Sequence, residues 1–200
     1  MRGMGIDSET AGTGLRGRRR MATEADIELA ALGALEASGF DELTMDQIAA
    51  AAGVSVRTAF RYFPTKVDTV LHTARQVGET LSSSIATGSA LREVEDSIAA
   101  GLDELVRTRP RDVERLRRLR TLMVGDARLR AEVAKAEGYL AGLDVAGGEP
   151  ASLERRLFLE IVAATLRSAF DSWAADGDAT GEQLPRHYQR AREIRSTFID

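Results

Sequence analysis

The chain has 200 residues, with 27 lysines and arginines against 31 aspartates and glutamates and a formal net charge of −4. That length suits one or two domains with a real core, and the absence of cysteine excludes disulfides and thiolate chemistry. No apolar run reaches membrane-span length and no signal-peptide core follows Met1, so the expected location is cytoplasmic, with no membrane partner. Alanine, leucine, arginine and glutamate dominate, and no run of alternating β-branched residues is present, so the expected fold class is all-α.

Met1–Thr23 is rich in glycine, serine, threonine and arginine and lacks helical periodicity, and residues 1–21 are expected to form a disordered arm. Arg16, Arg18, Arg19 and Arg20 end that arm. They suit entry into a minor groove, screening of phosphates, or plain solubility. Glu24–Ser38 reads as the first helix, with Ile27, Ala30, Ala31, Ala34 and Leu35 on one face and Gly39 at its C′ position. Phe40 and Leu43 are expected to plug the small core beneath it.

Thr44–Lys66 is the most informative stretch. Thr44 is a good N-cap, and Ile48 and Ala52 lie one turn apart on an inward face. Ala49 keeps the surface small where another helix approaches. Gly53 sits at a sharp turn that calls for φ > 0. Ser55 caps a second helix, which Pro64 ends, because the residue before a proline avoids helical angles. Two short helices joined by a glycine turn describe a helix-turn-helix, here over residues 44–63. On its outer surface Arg57 can donate a bidentate pair to guanine, and Thr58 offers a hydroxyl and a methyl. Tyr62 and Lys66 are expected to reach phosphates. The bases here are Arg57, Arg61 and Lys66 against one acid, Asp46, so the local charge opposes that of the whole chain.

The run Gly53-Val54-Ser55-x-x-Thr58-x-Phe60-x-Tyr62-Phe63-Pro64-x-Lys66 resembles the signature of the TetR family of one-component transcriptional regulators, and the likeness extends over about residues 22–81. It implies an N-terminal DNA-binding domain (22–81) and a C-terminal effector-binding and dimerisation domain (82–200). It also implies a homodimer that a small molecule releases from its operator. By this resemblance the DNA-binding residues are Thr44, Ser55, Val56, Arg57, Thr58, Phe60, Tyr62 and Lys66. Many members carry tyrosine where this chain has Phe60, and histidine where it has Tyr62.

After Pro64 a fourth helix is expected, with Val67, Val70, Leu71, Ala74, Val77 and Leu81 in helical register. Ser82–Ser89 reads as a loop. Helical periodicity resumes over Leu91–Arg107, continues from Pro110 through Leu116, Leu119, Leu122 and Met123, and breaks at Gly125-Asp126. Ala127–Leu143 is a further amphipathic helix, and Asp144–Pro150 is turn-rich. A long helix from Ser152 to about Ala175 is apolar on more than one face. A loop over Asp176–Gly181 then precedes a final helix near Pro185. The resemblance implies that these last two helices and their symmetry mates form the dimer interface, with Phe158, Trp173, Tyr188 and Ile194 as candidates. It places the effector among the bundle helices, with Leu102, Val106, Leu119, Met123, Thr165 and Phe170 as candidate lining.

Arg107–Arg120 holds seven arginines against Asp112 and Glu114. Two readings stay open. One is a solvated face paired with acids from neighbouring helices. The other is a basic rim over an apolar pocket for an acidic amphiphile, in loose likeness to family members described as binding acyl-CoA-like ligands. His187 is expected to be a packed or interface residue, and His72 has no carboxylate or histidine at metal-site spacing. No P-loop, dinucleotide fingerprint, nucleophile elbow or zinc motif is present, so no catalytic site, cofactor or metal is expected. The leading functional reading is a DNA-binding regulator, most simply a repressor. The alternative is a helical ligand-binding or adaptor protein without specific DNA binding.

Overall fold

The computed structural model describes residues 7–85, 91–141, 153–177 and 179–199, and all of their regular structure is helical. The all-α class holds. The chain divides into two compact units, Met1–His72 and Thr73–Asp200. Their boundary precedes the expected one because the fourth helix is two helices. α4 (Lys66–Val70) ends at Leu71, whose φ of −96° and ψ of 1° leave the helical region, and α5 (His72–Ile85) starts afresh.

In the first unit, α1 (Asp7–Glu42) is interrupted at Gly39, whose φ of 78° is open to glycine at no steric cost. The helix starts at Asp7, ahead of Glu24. Arg20 pairs with Glu24 one turn on. Ile27, Ala31, Leu32 and Leu35 form the buried face of α1, whereas Ala30 and Ala34 are only half-buried. Phe40 and Leu43 are buried as expected.

α2 (Met45–Ala51) starts from a capping box. The Thr44 hydroxyl accepts from the Gln47 amide at 3.2 Å, and the Gln47 side chain accepts from the Thr44 amide at 2.8 Å. Ile48 and Ala49 are buried, while Ala52 is the half-buried C-cap. Gly53 then turns the chain at φ 66°. The amide of Val54 donates to the Ala49 carbonyl at 3.0 Å, which closes the end of α2.

In the second unit the helices after α5 are α6 (Leu91–Thr108), α7 (Pro110–Gly125), α8 (Ala127–Ala141), α9 (Leu153–Ala175) and α10 (Leu184–Ile199). A short 3-10 turn, Gly181–Gln183, precedes α10. Ser82–Ile85 belong to α5 and not to a loop; residues 86–89 of that expected loop and the whole of 144–150 lie outside the described residues. The Gly125-Asp126 break is present, and the Asp126 carboxylate caps α8 by accepting from the Leu129 amide at 2.8 Å. Val77, Leu81, Ile98, Leu102, Leu116, Phe170, Trp173, Leu184 and Tyr188 share one core. The Trp173 indole donates to the Thr180 carbonyl at 2.9 Å and so pins the turn between α9 and α10. No described helix is long and apolar enough to cross a membrane.

Candidate nucleic-acid interface

α3 (Val56–Tyr62) is set by its two ends. The Ser55 hydroxyl accepts from the Thr58 amide at 3.1 Å and lies 2.8 Å from the Thr58 hydroxyl. Phe63, in extended conformation ahead of Pro64, closes the helix. Ala59 and Phe63, one turn apart, are buried and seat α3 on the first unit's core. The residues between them face out. Arg57 and Arg61 are exposed, and Phe60 is 49% exposed. Val56, Thr58 and Tyr62 are half-buried. Ser55 and Thr44, both exposed, stand at the helix starts.

Arg57 makes no ion pair or hydrogen bond among the described residues, so its donors are available. Arg61 and Arg20 both place their guanidinium carbons near the Tyr62 ring, 5.1 and 5.9 Å from its centroid. Arg20 also donates from Nε to Glu24 at 2.9 Å, and this bond, with the Glu24 charge, raises the arginine's pKa above its ordinary value. Arginines 57 and 61 and Phe60 thus share an outer face at helical spacing. Arg61 is the residue missing from the sequence-based set. Its distance of four from Arg57 was the available signal.

The phosphate role expected for Lys66 is corrected by its surroundings. Its ammonium donates to the carbonyls of Phe40 at 2.7 Å, Leu43 at 2.9 Å and Asp41 at 3.4 Å, and sits 4.4 Å from the Phe40 ring centroid. An ammonium has three protons, and three carbonyls at the end of α1 take them up. Lys66 therefore ties α4 to the α1–α2 connection. Also within this unit, the His72 ring meets Phe63 edge-on at 5.2 Å and lies 4.0 Å from Glu24, a carboxylate too distant in sequence to be anticipated.

In the second unit, Leu102, Leu119, Thr165 and Phe170 are buried, and Val106 and Met123 are half-buried. The Thr165 hydroxyl donates to the Ile161 carbonyl at 2.8 Å. The buried Arg120 guanidinium lies 5.4 Å from the Phe170 ring centroid and 3.7 Å from Asp171. Most of the arginine-rich stretch is held in ion pairs. Arg107 pairs with Glu104, Arg109 and Arg115 with Asp112, and Arg117 with Glu114. The acids come chiefly from the same run of helix, not from neighbouring ones, so spacing of three residues accounts for the pairing.

Two of the four residues expected at the dimer interface are corrected. Trp173 and Tyr188 are 0% exposed within their own protomer and have no surface to offer. Phe158 is half-buried and Ile194 is 45% exposed. The apolar side chains that do face out on the last two helices are Leu153 and Leu157 on α9, with Ile194 and Phe198 on α10. In each pair the residues are four apart, the signal of a stripe. His187 is packed, with Nδ1 3.1 Å from the Ser172 hydroxyl and Nε2 3.6 Å from Asp176.

A glycine-hinged pair of capped helices whose second member presents arginines is a helix-turn-helix DNA-binding domain. Residues 29–72 match the family model described as bacterial regulatory proteins, tetR family. That match places a TetR-type DNA-binding domain within the first unit. Among solved structures, a TetR-family regulator from Streptomyces coelicolor A3 is similar at 22% identity, with 92% of this chain and 97% of that one covered and a TM-score of 0.46. Thermus thermophilus FadR, a TetR-family transcriptional repressor solved in complex with lauroyl-CoA, is similar at 22% identity, with 86% and 92% covered and a TM-score of 0.41. No curated protein matches the sequence.

Proposed function

We propose that this regulator is a homodimeric repressor that reads a pseudo-palindromic operator with α3 of each protomer and leaves it when an effector binds the second unit. The observation that carries the reading is the outer face of α3, where Arg57, Phe60 and Arg61 are exposed together and Arg57 has no partner among the described residues. Arg57 donates a bidentate pair to guanine O6 and N7, and Phe60 packs on a thymine methyl. Arg61 and the Tyr62 hydroxyl hold phosphates, which fix register. Thr58 lends its methyl to a base edge, while its hydroxyl is held by Ser55. Thr44 and Val56 complete the surface against the backbone.

The dimer forms through the exposed stripe of α9 and α10, Leu157 and Ile194 included, with Phe158 at its edge. Two-fold symmetry then sets the two reading helices about 34–36 Å apart, one turn of the duplex. The effector is a small apolar or amphiphilic molecule, of which an acyl-CoA is the first to try. Leu102, Val106, Leu119, Met123, Thr165 and Phe170 would contact its apolar part, and the buried Arg120 beside Phe170 suits an acidic group. Release requires that the effector bind the DNA-incompetent state better than the competent one, because only differential affinity shifts the balance.

Incubating the full chain with a pool of random duplexes and sequencing what it retains tests the reading. Enrichment of inverted half-sites about 10 base pairs apart, centre to centre, is expected. A pool that returns unenriched would leave a helical adaptor as the better description. In the same assay a long-chain acyl-CoA is expected to release the enriched duplex and raise the melting temperature. If uncharged apolar compounds do both and acyl-CoAs do neither, the acidic effector class is wrong.

A further inference from the structure

A cleft of about 460 Å³ lies between α6 and α10, and arginines dominate its wall. Arg92 comes from the start of α6, and Arg192 and Arg195 come from α10, against the two acids Glu95 and Glu193. Glu95, with its side chain 3% exposed, accepts from both terminal nitrogens of Arg195, from Nη2 at 3.1 Å, and lies 3.4 Å from Nε of Arg192. Glu193 is drawn to Arg190, outside the cleft wall, and to Gln189, each at 3.4 Å. Arg192 also donates to Asp96 at 2.7 Å, a carboxylate 62% exposed to solvent. Arg92 is exposed and makes no hydrogen bond or ion pair among the described residues.

A guanidinium has five N–H donors and no acceptor. Arg195 commits two of its donors to Glu95. Arg192 commits no more than three, to Glu95, Asp96 and Gln189, and Arg92 commits none. One buried carboxylate thus sits among three guanidiniums, and spare donors on all three remain around it. The complement is an anion with several oxygen acceptors. A phosphate group matches guanidiniums in both shape and charge. At about 30 Å³ per water the cleft has the volume of roughly 15 waters. A phosphate fills only part of that space, so a small polar body attached to it has room.

The proposed dimer leaves the cleft open. At about 100° per residue, Gln189 and Ser196 of the cleft wall lie about 80–100° round α10 from the buried Tyr188. The exposed Ile194 and Phe198 lie about 80–120° round it in the opposite sense. The stripe assigned to the partner protomer and the wall of the cleft are therefore opposite flanks of one helix.

We propose that the α6–α10 cleft is a second small-molecule site, which takes a phosphate group, free or on a small polar ester, between Arg92 and the spare donors of Arg192 and Arg195. It is separate from the apolar side chains assigned to the effector, and it does not depend on α3 reading DNA. The bound phosphate adds a bridge between α6 and α10 beside the Glu95–Arg195 pair.

The test is calorimetric titration of the full chain with inorganic phosphate and with glycerol 3-phosphate, chloride keeping the ionic strength constant. Each anion is expected to bind at one site per protomer, the ester more tightly, and to raise the thermal unfolding midpoint. Arg92→Ala is expected to weaken both by about tenfold or more, the scale of losing hydrogen bonds to a charged group. Its midpoint without ligand is expected to stay unchanged, because Arg92 is exposed and has no described partner to lose. The double variant Arg57→Ala with Arg61→Ala is expected to bind phosphate as the unmodified chain does, which separates the cleft from attraction to α3. Absence of saturable binding by either anion overturns the site. Binding that survives Arg92→Ala intact, or that vanishes in the α3 double variant, overturns it too, since the phosphate would then sit elsewhere. Citrate binding as tightly as glycerol 3-phosphate would overturn the ligand class.

Discussion

Lys66 and Tyr188 show how much a single side chain can depend on partners far away in sequence. The Lys66 ammonium gathers three carbonyls at the end of α1. Hydrogen bonds to a charged group contribute about 1.5–3 kcal/mol each way of counting, and carbonyls left without a donor add to the loss. Lys66→Ala is therefore expected to lower the stability of the first unit by about 2 kcal/mol, read as a lower urea midpoint, with DNA binding per folded molecule little changed. A simple phosphate contact would give the opposite pattern, with stability intact and affinity reduced. Tyr188 is the converse case. Its hydroxyl is buried with no hydrogen-bond partner among the described residues. Burial pushes its pKa up to about 12, with nearby Arg192 opposing the shift and Asp96 adding to it. A folded-state pKa above the unfolded value of 10 means that the protonated form favours folding. Stability is then full below about pH 10 and declines as pH rises towards about 12. Tyr188→Phe is expected to remove that decline and to be neutral or slightly stabilising at pH 7. Unfolding curves of the two proteins at pH 7 and above pH 10 check this, and an unchanged alkaline decline would count against it.

At the scale of elements, Gly53 carries the turn between α2 and α3. A Cβ built there meets nothing within 4 Å, so the cost of substitution is conformational and not steric crowding. At φ 66°, Gly53→Ala is expected to destabilise by about 1–2 kcal/mol, measured by thermal unfolding. α6 and α10 are joined by a buried acid. Glu95, with a 3% exposed side chain, binds Arg195 through both oxygens and approaches Arg192 at 3.4 Å. Glu95→Gln leaves two guanidiniums short of a counter-charge and is expected to cost about 3 kcal/mol in unfolding experiments on the full chain. What the sequence made legible follows the same division. The turn chemistry of Thr44, Gly53, Ser55 and Pro64 is local, and each residue does what its position implies. The bond from Lys66 to Phe40 spans 26 residues, and the buried Glu95–Arg195 pair spans 100, so neither leaves a mark in local periodicity. The faces of α9 were ambiguous for another reason. An apolar pattern does not say which residues the protomer covers itself, as it does Trp173, and which it leaves out, as it does Leu157.

At the scale of the whole molecule, a chain with net charge −4 binds a polyanion only through a face where the balance is reversed, and the surface of α3, with Arg20 of α1 beside Tyr62, is such a face. In the proposed dimer that face occurs twice. Leu157→Asp combined with Ile194→Asp is expected to yield a folded monomer by light scattering, with operator affinity reduced far more than affinity for a single half-site. A dimer that persists would place the interface elsewhere. The chain contains no cysteine, so Arg61→Cys creates a unique attachment point on α3 for a DNA-cleaving chelate. With the duplex that the full chain enriches, cleavage is expected at two clusters of positions, one in the major groove of each half-site and about one helical turn apart. Cleavage absent from both half-sites, while the labelled protein remains bound to the duplex, would contradict insertion of α3.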